Sequence, residues 1–176
     1  MKKMTSIIAI VALSIAFSTT ASAQVTGLAP TSATIVTPIA ISNTTEMNFG
    51  NFATTTAIGT IVLTPAGGRT KTGGVTLPAT VGTVAAAKFK VDGQADYTYA
   101  VTMPTEDLTL TIGVTANKMT VKTFTSTTLN NSGTLAGVLT LGTDTVSVGA
   151  TLNVGASQVA GLYENKTGFT VIVNYN

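Results

Sequence analysis

The side chains on which most catalysis and metal binding rely are scarce in this sequence. Its 176 residues include no histidine, no cysteine, no tryptophan and a single arginine, Arg69. That composition removes Ser-His-Asp and Cys-His catalysis, thiolate and imidazole zinc sites, and most general bases that operate near neutral pH. Carboxylates and lysines remain. Glu106-Asp107 is the closest carboxylate pair. Neighbours on an extended chain point to opposite faces, so these two do not flank one scissile bond and read as a surface turn. Asp92-Gly93-Gln94-Ala95-Asp96 sets two acids around a glycine but lacks the closing glutamate of a calcium loop, and reads as a hairpin turn. The run from Gly67 to Gly74 lacks the spacing of a phosphate-binding loop and no helix follows it, so it reads as a flexible hairpin. The expectation is a protein without enzymatic activity, cofactor or metal.

Other short patterns have bland explanations. Leu77-Pro78-Ala79-Thr80 resembles the start of a sortase signal, but Val81 stands where glycine is required. Asn43-Thr44-Thr45, Asn130-Asn131-Ser132 and Asn165-Lys166-Thr167 fit the N-glycosylation pattern, as chance allows in a threonine-rich chain. Thr109 and Thr111 have the spacing of an ice-binding array, which β-propensity explains without a ligand.

The first residues carry the address. Lys2 and Lys3 precede an apolar stretch from Ile7 to Phe17, and Ala21-Ser22-Ala23 follows as a small-residue cleavage site. This is the pattern of a secretory signal peptide over residues 1–23, with the mature chain expected to start at Gln24. The apolar run falls short of the roughly 20 residues that span a bilayer, so no membrane insertion is expected. Loss of Lys2 and Lys3 leaves seven basic residues against seven acidic ones. A neutral mature chain gives no reason to expect a nucleic acid partner. The expected location is exported: cell surface, extracellular or periplasmic.

Residues 24–176 suffice for one hydrophobic core, and a single domain is expected there. They contain 34 threonines, with abundant Val, Ala and Gly, a composition suited to pleated, half-buried surfaces. Apolar residues alternate with polar ones at Ala85, Ala87, Phe89 and Val91, at Tyr97, Tyr99, Val101 and Met103, and at Leu108, Leu110 and Ile112. Phe169, Val171, Val173 and Tyr175 form the last such face. Turn signals at Pro65-Ala66-Gly67-Gly68, Asp92-Gly93, Met103-Pro104 and Asn130-Asn131-Ser132-Gly133 separate them. With no fixed repeat to support a solenoid, the pattern predicts an all-β, antiparallel, immunoglobulin-like sandwich of seven to ten strands.

Several stretches in order resemble a bacterial family of exported β-sandwich proteins, domain of unknown function 4402, itself similar to spore coat protein U and chaperone-usher pilins. They are Ile35 to Ile41 with Met47-Asn48-Phe49-Gly50, Pro65 to Arg69 with Gly73-Gly74-Val75, Ala87 to Gly93, Val148 to Leu152, and Gly168 to Tyr175. The resemblance implies a pilin-like sandwich whose terminal strand, through Phe169, Val171, Val173 and Tyr175, is recognised during assembly. It also implies a periplasmic chaperone and an outer-membrane usher as partners, besides the chain itself or related subunits in a homopolymer. Only Gln24 to Thr31 precede the first strand, expected at Ala33 to Ser42. Either that strand is exchanged between subunits through Ile35, Ile39 and Ile41, or the domain is complete and assembles by another route. The functional expectation is a structural subunit of a surface filament, fimbria or coat layer, with a possible role in adhesion. The alternative is a self-contained secreted module binding a carbohydrate or surface protein, although the lack of tryptophan leaves few rings to stack on sugars.

Overall fold

The computed structural model describes residues 24–113, 117–128 and 135–176. The expected signal peptide and the Asn130-Asn131-Ser132-Gly133 turn, with the glycosylation pattern inside it, lie outside the described residues. The chain divides into two units, Met1–Ile35 and Val36–Asn176. In the first, residues 24–35 are exposed chain without strand.

The second unit is built from strands. In chain order these are β1 (Ala40–Thr45), β2 (Asn48–Phe49), β3 (Ala53–Leu63), β4 (Arg69–Thr76), β5 (Val84–Ala85) and β6 (Ala87–Asp92). Then follow β7 (Thr98–Thr102), β8 (Leu108–Thr111), β9 (Lys118–Thr128), β10 (Ala136–Val138), β11 (Thr143–Val154) and β12 (Ile172–Tyr175), with one 3-10 turn at Thr140–Gly142. Every strand pairing is antiparallel. Strands β1, β6, β11, β3 and β4, with β9 and β8, form a seven-stranded sheet; β10-β7-β12 form a second sheet and β2-β5 a small ribbon. The fold is an all-β, sandwich-like arrangement. The strands exceed the expected seven to ten because β2 and β5, two residues each, are too short for an alternating pattern to reveal.

Strand β11 organises the whole. Asp144, Val146, Val148, Ala150, Leu152 and Val154 alternate along it and are all buried. One edge pairs with β9 from Val146 to Asn153, while the opposite edge serves two partners in succession. Thr143 to Val148 pair with β6, and Ala150 to Val154 pair with β3. The handover falls at Gly149, where a Cβ would lie 2.2 Å from the Leu63 carbonyl oxygen and 2.7 Å from the Pro65 nitrogen. Only a residue without a side chain admits the departing β3 backbone there.

The core follows this division. Val146 and Val148 pack with Ala87, Val91, Tyr99, Val101, Leu139, Val171 and Val173, so the β10-β7-β12 sheet covers this half. Ala150, Leu152 and Val154 pack with Ile61, Leu63, Val75, Met119, Val121 and Phe49. Over that second half the cover comes from the β2-β5 ribbon and from Met47, Phe52, Leu77 and Tyr163. Arg69 fastens the ribbon by donating from one guanidinium nitrogen to the carbonyls of Phe49 and Asn51. Between the two sheets, the Tyr99 hydroxyl donates to Asp144 Oδ2 at 2.9 Å, and the Thr145 amide donates to Asp144 Oδ1 at 2.7 Å. Burial first, and the adjacent carboxylate second, push the Tyr99 hydroxyl well above the ordinary tyrosine range.

Three expected boundaries move. The first strand begins at Ala40, not Ala33, because Pro38 offers no N–H and the Thr37 amide and hydroxyl donate to the Gln94 side chain instead. Residues Arg69 to Gly74 belong to β4, and the hairpin is confined to Pro65–Gly68, closed by Thr64 N donating to Gly68 O at 2.8 Å. Regular pairing of the last strand covers Ile172 to Tyr175; Val171 still points inward ahead of it.

Two measurements test this account. Gly149→Ala is expected to lower unfolding stability by about 1–3 kcal/mol in urea titrations, because the clash is with backbone. Tyr99 carries a raised folded-state pKa, so its contribution is fully present below the unfolded value near 10 and is lost as pH rises beyond it. Tyr99→Phe should therefore be less stable near neutral pH, by about 1–3 kcal/mol for the abandoned Asp144 carboxylate, yet show a flatter decline of stability above pH ~10.

Candidate functional site

The residues singled out from the sequence converge. Phe169, Val171, Val173 and Tyr175 from the terminal segment, and Ile39 and Ile41 from the first, belong to one apolar cluster. Ile35 does not join them; it is 97% exposed. Val171 and Val173 are buried, whereas Ile39, Ile41, Phe169 and Tyr175 are only partly covered, as are their neighbours Phe89, Met47 and Met103. This side of the sandwich is thus an incompletely closed seam between β1, at the edge of the large sheet, and β12, at the edge of the small one.

Backbone geometry makes the seam a pairing surface. Asn176 N donates to Thr98 O at 3.3 Å, and Asn174 and Ile172 stand opposite Ala100 and Thr102 in the same register. Alternation then turns the amides and carbonyls of Val173 and Tyr175 away from β7. Among the described residues no strand pairs with the outer edge of β12 or of β1. Two other edges, those of β4 and β8, differ. Strand β4 bears Arg69 and Lys71 on the face it shares with buried Leu63 and Ile61, and inward-facing charge discourages edge pairing. Strand β8 is covered: Thr111 N donates to Glu164 O at 3.1 Å, Glu164 N donates back to Thr111 O at 3.0 Å, and Asn165 Nδ2 donates to Thr109 O at 2.8 Å. Strand β12 has no charged residue in Ile172-Val173-Asn174-Tyr175.

The two ends of the seam are built differently. At one, Phe169 packs edge-on to Phe89 at 6.0 Å between ring centres and lies 4.8 Å from Phe124. At the other, the Tyr175 hydroxyl donates to Thr37 O at 2.7 Å and accepts from Gln94 N at 2.6 Å. Gln94 Oε1 accepts in turn from Thr37 N and Thr37 Oγ1, at 3.2 and 3.3 Å. Thr37 and Gln94 carry no sequence signal for this role, since it arises between positions far apart in the chain. Phe89 was visible only as one of an alternating apolar set, and Phe124 was not singled out.

The remaining sequence patterns lie elsewhere. Glu106 and Asp107 are exposed in the β7–β8 connection, and Asp92 pairs with Lys90 at 2.8 Å on the surface. Asn165 accepts from the amides of Thr167 and Gly168 in a side-chain-closed turn. Leu77 packs against the β3-β4 half of the core. What the seam offers is main-chain hydrogen bonding beside alternating apolar contacts, the chemistry of strand addition.

No curated protein and no solved structure matches the chain. A family model described as Domain of unknown function (DUF4402) matches residues 39–175, from the first seam residue to the last, and the chain belongs to that family.

Proposed function

We propose that the protein is an exported, non-catalytic structural subunit of a bacterial surface filament, fimbria or coat layer, assembled by addition of a strand from a second copy at the β1/β12 seam. The observation that carries this reading is the free, uncharged outer edge of β12 above a partly open apolar cluster. An edge of this kind is a template for pairing, and β4 and β8 show that the same fold blocks or covers its edges elsewhere. The strand is supplied by residues 24–35. These contain no charged residue, and Val25, Leu28 and Ile35 are each more than 90% exposed. Such a segment gains burial by laying Leu28, or Val25 and Ile35 on its other face, over the seam while its amides other than Pro30's pair with β12. A periplasmic chaperone that occupies the seam before assembly, and an usher that delivers the subunit, fit this mode of pairing.

The backbone of Val173 provides the test, because its N–H lies outside the native ladder. Val173→Pro removes the donor offered to an added strand, and Val173→Ala removes side-chain volume while keeping that donor. The exported chain, isolated from the producing cell, is expected to form filaments or large oligomers by size-exclusion chromatography and negative-stain electron microscopy. Val173→Pro should weaken association roughly ten- to a hundredfold relative to Val173→Ala, as one buried unpaired carbonyl costs about 1–3 kcal/mol. Persistent monomers of the unaltered chain at high concentration would refute the proposal.

A further inference from the structure

Strand addition leaves a problem of register that the seam residues do not solve. A slip of one residue turns every inward side chain outward and moves Pro30, which has no N–H, between the positions that face β12 and those that face away, so the two parities are distinct. A slip of two residues restores the same faces. Residues 24–35 have only Val25, Leu28 and Ile35 as large aliphatic residues, Val25 and Ile35 on one face of an extended chain and Leu28 on the other, with Pro30 and small or polar residues between them, so registers two apart differ little in burial. Something other than apolar alternation must choose between them.

We infer that the bridge formed by Tyr175, Thr37 and Gln94 is an end-stop that sets the register of the added strand. This rests on the strand-addition reading of the same site. The Tyr175 hydroxyl reaches across from β12 to the Thr37 carbonyl, while Gln94 holds the amide and hydroxyl of Thr37 from the β6–β7 turn. The chain before β1 and the terminal strand are thereby joined, and the seam between them is shut at this end. Gly93 makes the approach possible, since a Cβ there would lie 2.3 Å from the Tyr175 hydroxyl oxygen. Tyr97 braces the ring edge-on at 5.6 Å between ring centres. Pro38, next to Thr37, offers no N–H to a strand running past. Among the described residues the opposite end, at Phe169, has no comparable polar bridge; its ring packs against Phe89 and Phe124. An incoming strand therefore advances along β12 from the Phe169 end until it meets the Tyr175 ring.

The absence of cysteine allows a direct reading. In the full exported chain, Ile172→Cys places one thiol at an exposed β12 position, and second cysteines are placed singly at successive positions from Gln24 to Ile35. With Tyr175 intact, one arm position is expected to dominate the disulfide-linked dimers found by mass spectrometry after mild oxidation. Tyr175→Ala should bring a second position, two residues away, to comparable yield. Gln94→Ala, which releases the Thr37 amide and hydroxyl but keeps the Tyr175 ring and its bond to the Thr37 carbonyl, serves where Tyr175→Ala fails to fold, and should produce the same doubling to a lesser degree. A single unchanged position in the folded variants overturns the end-stop. Cross-links at no arm position, with Tyr175 intact, instead overturn the strand-addition reading itself.

Discussion

The structure depends on one strand doing the work of two. Strand β11 keeps a continuous inward row from Asp144 to Val154 while its outer neighbour changes from β6 to β3. A sheet can change partners along one edge only where the departing strand has room to leave, and Gly149 provides that room. The register shift with β9 between Gly149 and Thr151 falls at the same place. The two halves of the core then follow from which partner is present. Beside β6 the opposing layer is the β10-β7-β12 sheet, and beside β3 it is a short ribbon held down by Arg69.

That division explains why the open side lies where it does. The β3 half is finished by β4, β9 and β8, and its flank is secured by hydrogen bonds from Glu164 and Asn165. The β6 half ends at β1, and the sheet facing it ends at β12, with no strand between among the described residues. The two unpaired strand edges that border the flank are β1 and β12. Ile39, Ile41, Phe169 and Tyr175 stay partly exposed because nothing described in the chain occupies that position.

Much of the core was legible before the structure, and the reasons are local. Strong alternation at Phe89-Val91, Tyr99-Val101 and Val171-Val173 reports burial directly, because side chains on a strand change face at every residue. Six of the seven residues singled out for assembly share one cluster, since each lies on such a face. Ile35 fell outside it because apolar character alone does not tell a strand from an extended arm. What remained illegible was relational. The start of β1 is displaced to Ala40 by a glutamine 57 positions from Thr37, and the split of β11 between two neighbours is not encoded in β11 itself. The ribbon strands β2 and β5 are shorter than the period needed to detect them.

The long-range polar contacts answer a difficulty that the composition creates. With only 9% charged residues, and with Thr, Val and Ala recurring in the longer strands, apolar patterning fixes which face is buried but leaves registers two residues apart close in energy. A directional hydrogen bond separates such registers, because its partners meet in one alignment only. Tyr99 to Asp144 pins the small sheet to β11, Arg69 pins the ribbon to β4, and Asn165 pins the chain before β12 to β8. Tyr175 to Thr37 belongs to the same set, but it differs in position: it lies at the end of the open flank, between two edges that no strand joins. In the proposed strand addition its geometry constrains the alignment of the incoming strand, as the other three constrain the strands already present.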